Sequence, residues 1–583
     1  MKKSLIFIHV CLIIVLGLAI YNNSLGGDFI LDDYPLIKDN NYIRDLSAPH
    51  RIFTKNLSDR AFDPHSMYRP MTALTYALDY HFWREDPFGY HLTNVFLHVA
   101  ASLLVYVFIM LLFGKGLPAL GAALIYTALP VHVEAVAYIS GRNEILAFIF
   151  MILCLIFYLK AIERKKIIFS YGVVVFYIFA VLSKENSFIL PVLLCLYHYV
   201  FRKRYSILPF FSVWAILASA VILRLTVLRS SLLNVSSLGV LWDKVPQFFA
   251  VFLNYLRLLI FPFGLRLGYA HRVFHWNDPA VICGVLAFLF FIWLIMNRRK
   301  ADPLVSFACG WFIVLLLPVS GLYPLSYAMT ELWLYAPSAG FCLVLGHIIF
   351  SSRLGRILKI ALFAGIMAYY SFLTVKQNEY WREPVSFYQR TLKYRPESRV
   401  LYMGLGRAYQ DRGNIRHALA AYKKAIKSDP GYVKAYTALA SLYQTLGLIP
   451  EASAYYEKAL EVDPTYEDIY SNLGILYSEA GETGKALELF KRAIALKPNF
   501  AKAYYNLGNV YFDLNMFKEA LECFHKAVKL QPGYALAVNN LAITYYNLGD
   551  LEQAERFFQR SSQLGFVNQE LADALTSALS QSL

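Results

Sequence analysis

Hydrophobic residues are distributed unevenly along the 583-residue chain. Residues 1 to about 375 contain nearly all of the long apolar runs, whereas residues 381–583 mix apolar and polar positions as water-soluble helices do. Most of the runs are long enough to cross a hydrocarbon core of about 30 Å. We therefore predict an all-α chain, with a polytopic bundle of membrane helices followed by a soluble helical region. The apolar runs lie near 5–21, 91–113, 117–139, 144–162, 167–182, 186–201, 207–228, 247–262, 279–297, 303–320, 333–350 and 357–375.

Basic residues indicate which loops between these runs face the cytoplasm, because cytoplasmic loops are enriched in Lys and Arg. The basic clusters alternate correctly only if the run 247–262 makes no net crossing. That run is short and lies between Pro246 and Pro262, which favours a re-entrant or surface-lying helix. We therefore expect about eleven crossings, with the C-terminal region outside. The clusters are 2–3, 164–166, 202–204, 298–300 and 353–356.

The C-terminal region repeats with a period of 34 residues. Each unit has a Leu followed by Gly or Ala, then a Tyr, an Ala and an aromatic residue at fixed offsets. This period and composition are typical of the tetratricopeptide (TPR) helix–turn–helix repeat, whose units stack into an α-solenoid with a concave groove. We predict a membrane domain at 1–375, a connecting helix at 376–398, five TPR units at 399–566 and a capping helix at 567–583. The prolines that end successive units are at 396, 430, 464, 498 and 532.

Three asparagines, Asn472, Asn506 and Asn540, occupy the same position in successive repeats. A carboxamide offers both a donor and an acceptor. We therefore predict that these residues bind the backbone of an acceptor peptide in the groove. The alternative is structural, because Asn before Leu-Gly is a frequent choice in TPR helices.

The net charge of +15 does not indicate nucleic-acid binding. Residues 381–583 carry 23 Lys and Arg against 21 Asp and Glu, so nearly all of the excess lies in the loops of the membrane half. Six of the seven cysteines lie within apolar runs, and none has the spacing of a disulfide pair or a zinc site. We predict no metal site and no certain cofactor, and the need for a divalent metal stays open.

Two adjacent carboxylates, Asp32 and Asp33, open the first outer loop, which spans residues 22–90. Such a pair can be a helix cap or a solvated turn. It can also contain a general base at the membrane surface, where a lipid-borne donor and a soluble acceptor can meet.

Other ionisable residues lie at the outer ends of the predicted spans. Such residues near the membrane are costly and therefore suggest function, although each can also anchor a turn or pair with a neighbour. Several basic groups on the same side as a carboxylate pair favour an anion site. The residues are Arg69, His132, Glu134, Arg142, Lys184, Arg224 and Glu331.

Several segments together resemble the TMTC family of transmembrane and TPR-containing protein O-mannosyltransferases. The resemblance covers nearly the whole chain and includes the order of membrane half and repeats. One departure is Leu332, which follows Glu331 where the family usually has a basic residue, and it puts one donor-phosphate contact in doubt. The segments are Phe29–Asp33, Tyr68–Thr72, Phe88–Asn94, Pro130–Ala137, Gly141–Glu144, Lys184-Glu185 and Glu331–Phe341.

The resemblance implies an inverting glycosyltransferase of the GT-C type. The donor would be a polyprenyl- or dolichyl-phosphate sugar, with mannose as the sugar that the resemblance implies, and the acceptor a Ser or Thr of a protein presented by the TPR array. Asp32 and Asp33 would be catalytic. The residues implied to bind the lipid phosphate are Arg69, His132, Glu134, Arg142, Lys184 and Glu331.

Two other functions are compatible with the residues. One is a non-catalytic TPR scaffold anchored in the membrane, and the other is a GT-C enzyme that modifies a lipid or a glycan. The short basic N-terminus and compact loops favour a bacterial inner membrane with the repeats in the periplasm. The endoplasmic reticulum membrane, with luminal repeats, is the alternative location.

Overall fold

The structure is a computed structural model that describes residues 3–44, 46, 50–54, 68–203, 205–226, 238–269, 273–319 and 329–582. These residues form helices and connecting turns, and they contain no β-strand. The chain divides into two compact units, Met1–Tyr394 and Arg395–Leu583. The fold is therefore all-α, as the hydrophobic pattern predicts.

The first unit contains the apolar helices. Its described residues form α1 (Lys3–Tyr21), α2 (His50–Thr54), α3 (Pro70–Trp83), α4 (Pro87–Phe113), α5 (Gly116–Ala128), α6 (Val133–Ala137), α7 (Arg142–Arg164), α8 (Ile167–Ser183), α9 (Leu190–Phe201), α10 (Ile207–Thr226), α11 (Leu238–Ile260), α12 (Pro279–Arg298), α13 (Pro303–Leu316), α14 (Ser338–Ser351), α15 (Arg356–Arg382) and α16 (Pro384–Leu392).

Six of these helices are long and apolar enough to cross a membrane, namely α1, α4, α7, α10, α12 and α15. The bent pair of α5 with Pro130–Ala137, whose axes meet at 52°, is a seventh candidate. Four shorter apolar helices are α8, a segment that includes α9, α13 extended to Val319, and α14. The described residues thus contain eleven apolar helices or helix pairs. This number equals that of the expected crossings, although crossing by the four short helices stays a prediction.

The amphipathic helix α11 runs beside α12 in the same direction. Trp242, early in α11, lies near Trp276 just before α12, with ring centroids 6.4 Å apart. Phe252, further along α11, packs on Phe291 of α12 at 5.6 Å. Because these consecutive helices are parallel, the chain between them must run back.

Contacts at Met329 show that the chain after α11 runs back alongside that helix. Asn254 Nδ2 lies 3.3 Å from Met329 Sδ, and Tyr269 N–H donates to the Met329 carbonyl at 2.9 Å. Gly264, with φ of 71°, adopts the left-handed conformation in the segment between these contacts. The segment 238–269 therefore folds back on itself, and we call it the re-entrant hairpin after the re-entrant or surface-lying helix expected for the run 247–262. That it makes no net crossing of a membrane stays a prediction.

The last apolar helix is longer than its apolar run. The run ends near 375, but α15 continues to Arg382, because polar residues can extend a helix beyond the hydrocarbon core. Glu383 then caps α16 by accepting from Val385 N–H and Ser386 N–H, and Pro384 begins that helix. The first compact unit consequently extends to Tyr394.

The second unit consists of helix pairs with the 34-residue period. Its helices are α17 (Arg399–Asp411), α18 (Ile415–Ser428), α19 (Val433–Thr445), α20 (Ile449–Val462), α21 (Glu467–Glu479), α22 (Thr483–Leu496), α23 (Ala501–Asp513), α24 (Phe517–Leu530), α25 (Ala535–Asn547), α26 (Leu551–Gln563) and α27 (Gln569–Ser582).

Small residues set the spacing within each pair. A Cβ added at Gly508 would lie 2.7 Å from the Phe524 ring, and one at Gly474 would lie 2.8 Å from the Phe490 ring. The absence of a side chain therefore lets the aromatic residue of the second helix pack against the first helix.

Candidate active site

The loop that carries Asp32 and Asp33 after α1 has an unusual backbone conformation. Leu31 has φ of 47°, which L-residues with a bulky side chain rarely adopt. Its N–H donates to the Tyr388 hydroxyl at 3.0 Å, so contacts outside the loop hold the conformation. Strain of this kind persists where the surroundings impose it, often at functional sites. The backbone that leads into Asp32 and Asp33 is therefore fixed by its surroundings.

Asp33 is fully buried and holds the loop together. Its Oδ1 accepts from the N–H and the hydroxyl of Ser140, and its Oδ2 accepts from Ile30 N–H at 3.1 Å. Burial raises the pKa of Asp33 to about 7, with a smaller contribution from Asp32, and the three hydrogen bonds oppose this shift. Since both of its oxygens accept hydrogen bonds from the protein, this geometry favours a structural role for Asp33, and a catalytic role for it stays a prediction.

Asp32, in contrast, is exposed to solvent at the surface of this loop. Its N–H donates to the Tyr138 hydroxyl at 3.0 Å. The surrounding protein raises the pKa of Asp32 by desolvation, while a hydrogen bond from Tyr138 and the charge of Arg69 lower it. The carboxylate is thus accessible, while the protein around it disfavours its ionised form. Asp32 can therefore accept a proton from a bound hydroxyl group.

Arg69 shares a carboxylate with a second arginine. Its Nε and Nη2 donate to Glu185 Oε2 at 3.2 and 2.9 Å, and Arg224 Nη2 donates to Glu185 Oε1 at 3.0 Å. Two guanidinium groups thus meet at one carboxylate. Pro70 begins α3 directly after Arg69, which fixes the position of this arginine at the end of the helix.

Lys184 lies beside this group and pairs with Glu144 of α7. Both side chains are at least nine-tenths buried. Asn186 Nδ2 also lies 3.4 Å from Glu144 Oε1. Burial lowers the pKa of Lys184, and Arg69 contributes in the same direction, whereas Glu144 opposes the shift. Arg69, Lys184, Arg224, Glu144 and Glu185 form a compact charged group, which we call the cationic cluster.

Arg142 does not join the cationic cluster. It is fully buried beneath α3, where its Nη2 lies 2.6 Å from Asp79 Oδ2 and its Nε donates to Asn94 Oδ1 at 2.7 Å. It also donates to the Tyr90 carbonyl and stacks on the Tyr76 ring. The guanidinium group therefore ties α3, α4 and α7 together, and the structure corrects the expectation that it faces a donor phosphate.

His132 is likewise engaged inside the protein. Its two ring nitrogens lie 2.8 Å from the Tyr126 carbonyl and 2.7 Å from Ser338 Oγ, and the side chain is fully buried. The ring packs between Tyr126 and Tyr335, with centroids 4.4 and 4.8 Å away. The structure thus places His132 in the helix core instead of at an exposed site.

Glu134 and Glu331 form a second buried group. Thr330 Oγ1 donates to Glu134 at 2.6 Å, and Leu332 N–H donates to it at 3.0 Å. Glu331 Oε1 accepts from Arg266 N–H and from the Tyr269 hydroxyl. Burial, followed by the charge of Glu134, raises the pKa of Glu331 well above its ordinary value. This group joins the re-entrant hairpin to the turn before α14.

The three predicted groove asparagines differ in their surroundings. Asn506 is 9% exposed and donates to Ser471 Oγ at 3.3 Å. Asn540 donates to Asn509 Oδ1 at 2.8 Å, whereas both Asn472 and Asn540 are partly exposed. Peptide binding by these residues stays a prediction, and the geometry favours Asn472 and Asn540 over Asn506.

The structure also adds residues that sequence reasoning did not select. Tyr138 and Tyr388 hold the Asp32 loop, and Arg266 contacts the Glu331 turn. Tyr138 directly follows the segment Pro130–Ala137, so its position in the sequence was a usable signal. The other two carry no comparable pattern, since only the fold brings them to these loops.

Known families match the repeat unit. Tetratricopeptide or TPR repeat models match residues 406–447, 431–499, 501–534 and 535–564. Among solved structures, MamA is 29% identical over 28% of this chain and 94% of that chain, with a TM-score of 0.25. Pseudomonas aeruginosa PilF is 27% identical over 32% of this chain and 86% of that chain, with a TM-score of 0.30.

Curated relatives match well beyond the repeats. The protein O-mannosyl-transferase F38B6.6 of Caenorhabditis elegans is 27% identical over 70% of this chain and 61% of its own length. Protein O-mannosyl-transferase TMTC3 of Mus musculus is 25% identical over 71% of this chain and 50% of its own length. Human TMTC2, also named a protein O-mannosyl-transferase, is 36% identical over 25% of this chain and 18% of its own length.

The chain therefore spans about half to three-fifths of the length of the longer-matching relatives. The repeat unit, residues 395–583, is less than a third of this chain, so matches covering about 70% of it must extend far into the membrane unit. The chain thus contains TPR repeats and is similar, in both its apolar and its repeat unit, to proteins named protein O-mannosyl-transferases.

Proposed function

We propose that this protein is a membrane glycosyltransferase that moves a sugar from a polyprenyl- or dolichyl-phosphate donor to a Ser or Thr hydroxyl of a protein. The names of its relatives support a protein acceptor and mannose as the sugar. The observation that carries the proposal is Asp32, an accessible carboxylate in a loop that the buried carboxylate of Asp33 holds in place.

The reaction follows from the position of Asp32. Its carboxylate takes the proton of the acceptor hydroxyl as the hydroxyl oxygen attacks the anomeric carbon. The bond between that carbon and the phosphate oxygen breaks, and the polyprenyl phosphate leaves with the electron pair. Attack from the side opposite the phosphate inverts the anomeric configuration.

The cationic cluster supports the anionic part of the reaction. Its three cations and two carboxylates leave one net positive charge close to Asp32. Positive groups fixed before the reaction stabilise charge that develops on a leaving group. Arg69 is the cation that acts directly on Asp32, so it can also keep the base ionised.

Transfer itself is the first test. The purified full-length protein is incubated with radiolabelled polyprenyl-phosphate mannose and a Ser/Thr-rich polypeptide, and label on the polypeptide is measured. We expect label that β-elimination releases, as for an O-linked sugar. Peptide binding without any transfer or donor hydrolysis would instead support the scaffold function, and transfer only to a lipid or glycan would support the other enzyme function.

The repeats are proposed to bind the acceptor. We expect Asn472→Ala with Asn540→Ala to raise the KM for the polypeptide and to leave donor hydrolysis unchanged, because both residues belong to the soluble unit. Asn547→Ala is the matched control, since this exposed Asn bonds the Ile543 carbonyl within its own helix. An unchanged KM in the double variant would remove these two residues from acceptor binding.

Sidedness is a separate prediction. If the re-entrant hairpin makes no net crossing and the N-terminus is cytoplasmic, eleven crossings place the C-terminus on the opposite side. We expect a single cysteine introduced at Ser580, in a variant without native cysteines, to react with a membrane-impermeant maleimide in intact cells or spheroplasts. A cysteine at Lys165, in an inner loop, should react only after lysis. Labelling in the reverse order would exclude an outer acceptor site.

The pH dependence of transfer is expected to report Asp32. A general base works only when ionised, so kcat/KM should fall as the pH drops through the raised pKa of Asp32. The Tyr138 hydrogen bond lowers that pKa, so Tyr138→Phe should move the fall in kcat/KM to higher pH. Tyr80→Phe is the control, because Tyr80 contacts Arg44 and Arg84 through its ring. A shift to lower pH in Tyr138→Phe would contradict the assignment.

A further inference from the structure

The cations expected to bind a donor phosphate already have carboxylate partners. A phosphate that reaches any of them competes with an existing ion pair, and this competition weakens the interaction. The pairs are Arg69 and Arg224 with Glu185, Lys184 with Glu144, and Arg142 with Asp79.

Arg266 lies on the segment of the re-entrant hairpin that follows α11. Unlike these cations, it has no carboxylate partner among the described residues. Its guanidinium lies 4.7 Å from the Tyr269 ring centroid and 4.4 Å from that of Tyr394. Among the residues that the structure describes, its side chain forms no ion pair and no hydrogen bond, and its Nε is buried without a partner. Stacking between two rings fixes the plane of the guanidinium and leaves its N–H edge to bind a ligand.

Glu331 presents a complementary orphaned atom. Its Oε1 accepts from the backbone N–H of Arg266 at 2.5 Å and from the Tyr269 hydroxyl at 2.8 Å. These bonds hold the Arg266 backbone in place. The Glu331 side chain is fully buried, and its Oε2 has no hydrogen-bond partner among the described residues. Leaving a buried polar atom without a hydrogen bond has a free-energy cost. A polar ligand that binds both atoms would remove this cost.

This position is connected to Asp32 by one short segment. Tyr388 of α16 accepts from Leu31 N–H, next to Asp32, and Tyr394 stacks on Arg266. Residues 388–394 therefore contact both the loop that carries the base and the guanidinium. The Asp32 loop and Arg266 therefore pack against the same short segment of the first unit.

We propose that Arg266 binds the phosphate of the lipid-linked donor, an inference that rests on the proposed function. The planar guanidinium fork matches two phosphate oxygens, and no carboxylate has to be displaced. A glycosyl phosphate also satisfies Glu331, because a sugar hydroxyl can donate to or accept from its free oxygen.

The test measures binding of two probes, polyprenyl phosphate and polyprenyl-phosphate mannose, to the full-length protein in nanodiscs. In Arg266→Gln we expect the Kd for both lipids to rise by about tenfold or more, the effect of losing hydrogen bonds to a charged group. Arg257→Gln is the matched control. Arg257 lies on the same hairpin, is exposed, and donates to Asn254 Oδ1 and the Phe263 carbonyl.

Arg266→Lys covers the case in which Arg266→Gln fails to fold. It keeps the positive charge but loses the fork, so its Kd for both lipids should still exceed that of the wild type. A wild-type Kd in either folded variant would overturn the inference while leaving the proposed function in place. Failure of the wild-type protein to bind either lipid would instead overturn the proposed donor.

Discussion

Replacing Asp32 by Asn is expected to lower kcat for sugar transfer by about 10²–10⁴-fold, the contribution typical of a general base. The introduced carboxamide has nearly the same shape as the carboxylate but cannot take the acceptor proton. Because the Asp32 side chain is exposed, the loop should keep its conformation through Asp33 and Tyr388. Binding of polyprenyl phosphate should therefore stay within about twofold of the wild-type value, since the phosphate contacts are separate.

Two further variants separate chemistry from structure in the same loop. Glu85→Gln removes an exposed carboxylate that pairs with Arg44, and kcat should not change. Asp33→Asn disturbs hydrogen bonds to Ile30 and Ser140, so it should reduce thermal stability as well as activity. If Asp32→Asn retained more than about a tenth of the wild-type kcat, Asp32 would not be the base.

The contrast between Asp32 and Asp33 shows the limit of reading a site from sequence. Adjacent carboxylates after a membrane span indicate a possible base, but the pattern does not say which residue is accessible. The hydrogen bonds from Ser140 to the Asp33 carboxylate determine which residue is buried. Ser140 lies 107 residues away in sequence, so no local pattern contains this information.

The pairing of Lys184 and Glu185 also depends on residues that are distant in sequence. Lys184 and Glu185 are neighbours in sequence, which suggests a local pair. In the structure, Lys184 pairs with Glu144 and Glu185 pairs with Arg69. Consecutive side chains at the start of a helix point in different directions, so each finds a partner on another helix.

Periodic features were more predictable. The run 279–297 corresponds to α12 at Pro279–Arg298, because the length of an apolar run is set by the bilayer. The 34-residue period likewise corresponds to helix pairs such as α23 and α24, whose spacing follows from Gly508 and Phe524. A helix that one physical constraint defines can be predicted from its own segment of the sequence. A site cannot, because it depends on how helices from different parts of the chain pack together.

Replacing Arg142 by Gln is expected to destabilise the membrane unit by about 3–5 kcal/mol, the cost of leaving a buried charge without its partner. Asp79 would lose the guanidinium that lies 2.6 Å away, and Asn94 and Tyr90 would lose their donor. The measurement is thermal unfolding of the full-length protein in detergent. The expected result is a clear fall in Tm, with the affinity for polyprenyl phosphate unchanged in the fraction that stays folded.

A double variant distinguishes this structural role from donor binding. Arg142→Met with Asp79→Leu removes both charges, and replacing a buried pair by apolar side chains is often nearly neutral. The double variant should therefore recover much of the Tm lost by Arg142→Gln. If Arg142 bound the donor phosphate, the double variant would still bind polyprenyl phosphate weakly despite its recovered Tm. Recovery of both Tm and lipid affinity would show that Arg142 acts through its pairing with Asp79, which joins α7 to α3.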